Sequence, residues 1–298
     1  MLKSIVAGSW AFSANGDYTD YAEYEYADFY IQNCTGLEPP KNTINMLDIN
    51  PYAGSYFSSA RGQARNIVLT LGLPGNLGAI NTESSRQSLY DVFGTAPGVP
   101  ITLRFEIGNL GAPISESKFY YIDAYVESIE NNRFSKELTF TISLICPDPY
   151  FKYPSKTISI PSGSSYASVS ALSPIPFGFY FEGIPSTTGW SGSSGALTIE
   201  NSSSYSGIFT TYKLELLAKT GSIGTLSPRT KISTEIGNKY AKAVSYTEAQ
   251  PGFDLMSNIR ITKAWPLIYP GSNSLAFALS GMTGASLVYS DRKAGLTL

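Results

Sequence analysis

The sequence predicts a mainly β protein in two parts. Stretches of alternating apolar and polar residues, rich in aromatic and β-branched types, recur through the first half, and a period of two marks a strand with one buried face. One segment, residues 82–93, has helical spacing instead. Beyond residue 153, short strand-like runs alternate with Gly, Ser and Pro turns, the pattern of a β-sandwich or jelly-roll. The expectation is an N-terminal, β-sandwich-like domain over residues 1–155, with one α-helix and a central β-hairpin. A C-terminal β-sandwich over residues 156–298 follows it.

Size and composition allow this. A chain of 298 residues is long enough for two domains. At 43% hydrophobic and 15% charged residues it can build a core beneath a lightly charged surface. A net charge of −2 lacks the basic footprint of a nucleic-acid binder. The charge is uneven: the first fifty residues hold Lys3 and Lys41 against seven carboxylates, which leaves the rest net positive.

Taken in order, residues 17–30 (DYTDYAEYEYADFY) interleave acids and aromatics and read as an amphipathic strand, with Glu23 and Glu25 on one face and Tyr24 and Tyr26 on the other. Their spacing does not fit an EF-hand loop. Gly36-Leu37-Glu38-Pro39-Pro40 is a breaker cluster. Residues 47–60, with Pro51, Gly54 and several serines, have loop composition. Arg65 to Leu73 is an apolar strand closed by a Pro74-Gly75 turn.

Asn81 or Thr82 can cap a helix that runs to Phe93, with Glu83 in its first turn and Gly94 as its stop. Its Leu89 and Phe93 are expected to pack on the N-terminal sheet. Val99 to Phe105 is a further strand. The hairpin follows. Tyr120, Ile122, Ala124 and Val126 alternate with Tyr121, Asp123, Tyr125 and Glu127, and Leu138, Phe140, Ile142 and Leu144 run back. Asn131-Asn132 supplies residues that tolerate a left-handed turn, just before Phe134. Pro147 and Pro149 have no N–H to donate and stop the ladder, so Cys146-Pro147-Asp148-Pro149-Tyr150-Phe151 is expected to be the seam where one sheet ends and another begins. The serine-rich residues 161–173 suggest a linker or edge loop. Strand candidates then run at 176–181, 196–200, 209–217, 258–261, 274–279 and 285–289.

Little in the chain suggests chemistry. There is no histidine, which removes Ser–His–Asp and Cys–His catalysis and histidine-ligated metals. Cys34 and Cys146 read as buried free thiols. No two acids stand out as a glycosidase pair, and Gly221 to Gly224 lacks the lysine of a phosphate loop. Trp190 in GWSGSSG and Trp265 in KAWPLIYPG could stack on a sugar ring, which makes a carbohydrate-binding adhesion module on a virion or cell surface the alternative function. The segment MLKSIVAGSW has no long apolar run of an export signal, and no stretch approaches the ~20 apolar residues of a membrane helix. Cytoplasmic synthesis, no cofactor, no metal and no membrane partner are expected.

Several motifs resemble the distal tail (Dit) proteins of siphophages and related prophage tail proteins. They are GLEPP at 36–40, RNIVLTL at 65–71, the capped helix with Arg86 and Leu89-Tyr90, and VESIENNRFSKELTFTISLICPDPYF at 126–151. IEN at 199–201 and YPGSNSLAF at 269–277 extend the likeness more weakly. The resemblance implies a non-enzymatic virion protein, assembled in the bacterial cytoplasm. It implies a homo-hexameric ring made by the N-terminal (belt) domain, with a galectin-like or jelly-roll sandwich outside it. The implied partners are the tail tube protein, the tail tip or tail-associated lysin or fibre protein, and a receptor-binding protein. Genomic DNA would pass the bore without specific binding, and the acidic first fifty residues are compatible with lining it.

Overall fold

The computed structural model describes residues 1–14, 25–48, 54–73, 82–94, 96–108, 117–131, 139–161, 166–185, 197–203, 210–216, 229–235, 238–244, 253–254, 259–279 and 282–296. The chain forms two compact units, Met1–Pro154 with Lys293–Leu298, and Ser155–Arg292.

The first unit contains β1 (Leu2–Ala7), β2 (Trp10–Ser13), β3 (Glu25–Thr35), β4 (Asn42–Asp48), β5 (Ser55–Gly62), β6 (Arg65–Gly72), α1 (Thr82–Phe93), β7 (Ile101–Ile107), β8 (Lys118–Asn131), β9 (Thr139–Cys146) and β10 (Phe151–Lys152). Its main sheet runs β8-β7-β1-β2-β3-β6-β9 and returns to β8. A sandwich-like arrangement was the expectation; a closed, barrel-like sheet is what forms. The reason lies in the length of β8. Its first half, 118–124, pairs with β7, and its second half, 125–131, pairs with β9. One strand of 14 residues thus joins both ends of that run and closes it.

Alternation decides what fills the barrel. Phe140, Ile142, Leu144 and Cys146 of β9 are buried while Thr139, Thr141 and Ser143 are only half-buried. Tyr120, Ile122 and Ala124 do the same on β8. Helix α1 closes the end where β8 finishes and β9 begins. Phe93 meets Phe12 with ring centroids 5.7 Å apart, Tyr90 meets Phe140 edge-on, and Asn131 Nδ2 donates to the Tyr90 hydroxyl. Leu89 and Phe93 lie in this core; each large side chain so buried is worth about 1.5–3 kcal/mol.

Two segments of this unit differ from their sequence-based expectation. Residues 47–60 are not simply loop: β4 and β5 pair as a separate two-stranded ribbon. CPDPYF does not lead to a new sheet. The Asp148 carboxylate accepts a hydrogen bond from the Tyr150 N–H, turning the chain, and β10 then rejoins the same sheet beside β8 at Lys152↔Tyr121. The turn at 132–138 lies outside the described residues.

The second unit contains β11 (Lys156–Pro161), β12 (Tyr166–Ala171), β13 (Tyr180–Pro185), β14 (Leu197–Ser203), β15 (Thr210–Leu216), β16 (Arg229–Ser233), β17 (Tyr240–Val244), β18 (Phe253–Asp254), β19 (Ile259–Thr262), β20 (Gly271–Leu279) and β21 (Met282–Tyr289). They make two antiparallel sheets, β11-β21-β13-β16-β17-β18 and β12-β20-β14-β15-β19. The sheets share one core, in which Phe181 of the first stacks on Phe277 of the second at 5.7 Å. The serine-rich stretch is an edge strand rather than a linker: Ala167, Val169 and Ala171 turn inward while Ser168 and Ser170 face out. The two asparagines of IEN and YPGSNS meet. Asn201 Nδ2 donates to Asn273 Oδ1, which also accepts from the Tyr269 N–H at 2.8 Å. After β21 the chain returns through β22 (Arg292–Lys293) to the first unit.

Candidate assembly surface

Two features of the first unit join its motifs. The first is Arg65, which opens β6. Its side chain is 5% exposed yet charged, so burial has to be compensated by hydrogen bonds. Nε donates to the Pro149 carbonyl at 2.7 Å, Nη1 to the Gly36 and Glu38 carbonyls at 2.5 Å each, and Nη2 to the Ala294 carbonyl. The guanidinium also lies 4.5 Å over the Phe151 ring, a favourable cation–π position. Desolvation pulls the Arg65 pKa below its usual value, and nearby Cys146, Glu38 and Tyr150 oppose that pull. GLEPP, CPDPYF and the C-terminal segment are therefore held by one side chain. Gly36 is required where it stands: its φ is +83°, and a Cβ there would come 2.0 Å from the Asn66 carbonyl oxygen. Gly295 is equally constrained, since a Cβ would meet the Pro39 nitrogen at 2.7 Å. The Leu296 N–H then donates to the Leu37 carbonyl, and the Leu296 side chain enters the barrel core.

The second feature is the ribbon. Register places Ile44 opposite Ala60 and Met46 opposite Phe57 on one face, with Leu47 opposite Tyr56 on the other. Asn45 Nδ2 donates to Ser59 Oγ, and Gln63 Nε2 donates to Thr43 Oγ1, so polar cross-strand pairs hold the second face. Ile44 is 60% exposed, Met46 51% and Phe57 61%. Leu47 (47%) and Tyr56 (53%) on the other face are exposed as well, so the ribbon is a candidate interaction surface.

An open groove of about 720 Å³ lies on the same unit. Val6, Trp10, Val92, Pro100, Ile101 and Tyr121 supply its apolar wall, with Asp91 and Arg104 among its polar lining. The Arg104 guanidinium sits 5.0 Å over the Phe119 ring.

The residues singled out in the sequence fall as follows. Cys146 is buried at the end of β9, Pro147 is exposed, Asp148 makes the turn, and Pro149 is buried with its carbonyl on Arg65. Asn131 ends β8; Asn132, Phe134 and Trp190 lie outside the described residues. Trp265 is half-buried against the core of the second unit, with Lys239 Nζ 6.0 Å from its ring. Cys34 and Cys146 are free thiols, and burial pushes both pKa values up to about 12. Among the described residues no group of three carboxylate or thiol side chains is placed to hold a metal, and no helix is long and apolar enough to cross a membrane. Sequence reasoning missed Arg65 as an individual residue and Ile44, Met46 and Phe57 as a face. The alternation of Ile44 and Met46 was the available signal, and the neighbouring Gly54 and serines masked it.

No protein-family model matches the sequence, and no curated protein matches it at a significant level. Its structure is similar to solved ones. The Dit protein of phage SPP1, described as a hub of the adsorption apparatus in phages infecting Gram-positive bacteria, superimposes with a TM-score of 0.58 at 13% identity, over 89% of this chain and 93% of that one. A protein of the phage P2 baseplate in its activated, Ca-bound conformation gives 0.51 at 10% identity, over 99% of this chain and 100% of that one. The Sr-bound form of that baseplate gives 0.50 at 10%, over 99% of each chain. The chain thus has the fold of phage tail hub and baseplate proteins, and within that class its fold is Dit-like.

Proposed function

We propose that this chain is a structural hub at the distal end of a phage or prophage tail. The observation that carries this is the fold likeness to a tail hub and a baseplate protein across nearly the whole chain, both units included. In this reading the first unit forms a homo-hexameric ring, and the second, sandwich unit presents the peripheral surface. The ring joins the tail tube to the tip or baseplate, with its lysin or fibre and receptor-binding proteins. DNA passes its bore without specific binding, and the protein acts without catalysis, as part of the virion.

Support also comes from the exposed apolar ribbon and the open groove, because a protein that works alone in water rarely leaves both uncovered. The barrel closes on itself, so the ribbon and groove, rather than strand edges, carry the case for assembly. The test is addition to a tail. Purified chain mixed with tail tubes that lack their distal end should cap that end in negative-stain images. Tubes that remain uncapped at saturating protein would refute the hub function.

A further inference from the structure

We infer that residues 293–296 are a latch that fixes the aim of the β4–β5 ribbon, with Arg65 as the positioning residue through which it acts. The inference lies within the first unit and holds whether or not the chain is a hub.

The ribbon needs something to aim it. Of its strand residues only Thr43 is half-buried and every other is exposed, so little of the ribbon rests on the barrel. A two-stranded ribbon has no core of its own. Its direction is therefore set at its foot, where residues 36–41 lead in and residues 63–65 lead out.

The incoming leg is stiff. Pro39 and Pro40 fix their own φ angles, and each restricts the residue before it. The stretch from Glu38 to Pro40 thus transmits any displacement of its start. That start is held from two sides. On one side, Arg65 Nη1 donates to the Gly36 and Glu38 carbonyls, and Leu37 between them is buried in the barrel core. On the other side run residues 293–296. The Leu296 N–H donates to the Leu37 carbonyl at 2.8 Å. A Cβ on Gly295 would come 2.9 Å from the Glu38 carbonyl carbon and 2.7 Å from the Pro39 nitrogen, so the two backbones touch. Arg65 Nη2 donates to the Ala294 carbonyl and ties latch and leg to one guanidinium. The latch is itself anchored in the barrel, since Lys293 Nζ lies 4.8 Å over the Tyr120 ring and the Leu296 side chain enters the core.

The outgoing leg leans on the Pro149-Tyr150 turn, where a Cβ on Gly62 would lie 3.4 Å from the Tyr150 hydroxyl. The Gln63 N–H donates to the Lys41 carbonyl and joins the two legs. The planar fork of Arg65 reaches the incoming leg, the turn and the latch together, which fixes their spacing. An arm held in this way presents its exposed apolar side chains in one orientation, which lowers the ordering cost of any contact they make.

The test is the distance from ribbon tip to barrel, measured by double electron–electron resonance on the full chain. Ser55→Cys at the tip and Glu130→Cys on β8 carry the spin labels; both positions are exposed. A Cys34→Ala, Cys146→Ala background removes the other thiols, and dilution into unlabelled chain suppresses distances between copies. With the latch intact, one narrow distance distribution is expected. Gly295→Val forces the latch off the leg, and Leu296→Ala loosens its hold on the core. A tilt of about 10° at the foot of a seven-residue strand moves its tip by about 4 Å, so each variant should shift or broaden the distribution by at least that much. Leu89→Ala weakens the same core away from the latch and should leave the distribution unchanged. A second label pair within the barrel, Thr102→Cys with Glu130→Cys, should stay fixed in every variant. A distribution already broad with the latch intact, or one unmoved in either latch variant, would overturn the latch. So would an equal change in Leu89→Ala, or movement of the barrel pair along with the ribbon pair, because the effect would then belong to the barrel as a whole.

Discussion

Replacing Arg65 with alanine tests whether one buried cation holds the first unit together. The substitution removes donors from the carbonyls of Pro149, Gly36, Glu38 and Ala294 and the stack on Phe151. Hydrogen bonds to a charged group contribute about 1.5–3 kcal/mol each, and a cation–π contact about 0.5–2 kcal/mol. Relief of guanidinium desolvation offsets several kcal/mol of that sum, and water entering the space re-pairs some carbonyls. The net expected loss is about 3–5 kcal/mol, because buried carbonyls left without a donor cost about 1–3 kcal/mol each. Arg65→Lys keeps the charge but gathers its donors at one nitrogen, so it cannot reach acceptors in three directions; it should recover less than half of the loss. Urea unfolding followed by Trp10, with Trp190 and Trp265 changed to phenylalanine, reports the first unit alone. Low protein concentration keeps assembly from adding apparent stability. A shift of the Arg65→Ala midpoint worth less than about 0.5 kcal/mol, the scale of an ordinary surface change, would refute the clasp.

Leu89→Ala should cost about 2–5 kcal/mol through lost burial and the cavity left behind, read in the same unfolding experiment; a loss below about 0.5 kcal/mol would contradict its place in the core. Deleting residues 293–298 should lower the stability of the first unit by roughly 2–4 kcal/mol, because Leu296 leaves the core and Arg65 loses an acceptor; an unchanged Trp10 transition would count against it. Cys34 and Cys146 have folded pKa values raised to about 12. The stability they contribute is therefore fully present below the unfolded thiol value of about 8.5 and is lost as pH rises toward 12. A Cys34→Ala, Cys146→Ala double variant should lose less stability than wild type between pH 8.5 and 11, and equal losses would exclude thiol linkage. If the second unit is an adhesion module instead, glycan-array binding should disappear in Trp265→Ala or Trp190→Ala; the hub function predicts ring formation with no glycan binding to lose.

Local periodicity made part of this legible. The β8–β9 ladder could be read because apolar residues occupy every second position from Phe140 to Cys146. The helix could be read because Leu89 and Phe93 are four apart and Gly94 follows them. Strand β12 was hidden because its inward residues, Ala167, Val169 and Ala171, are small and sit among serines. Barrel closure was hidden because it depends on β8 serving two partners with different halves, which no short window contains. Arg65 was hidden for the same reason: its acceptors lie at positions 36, 38, 149 and 294. The likeness of GLEPP and CPDPYF to tail proteins picked out segments whose physical link, a single guanidinium, emerged only in three dimensions.

The central claim is that copies of this chain close into a ring. Negative-stain images and native mass spectrometry of the purified full chain test it most directly. A six-fold ring of mass six times that of the 32.2 kDa chain is the predicted result. A species that stays monomeric at high concentration, and that also fails to join a tail tube or a tip partner, would contradict it.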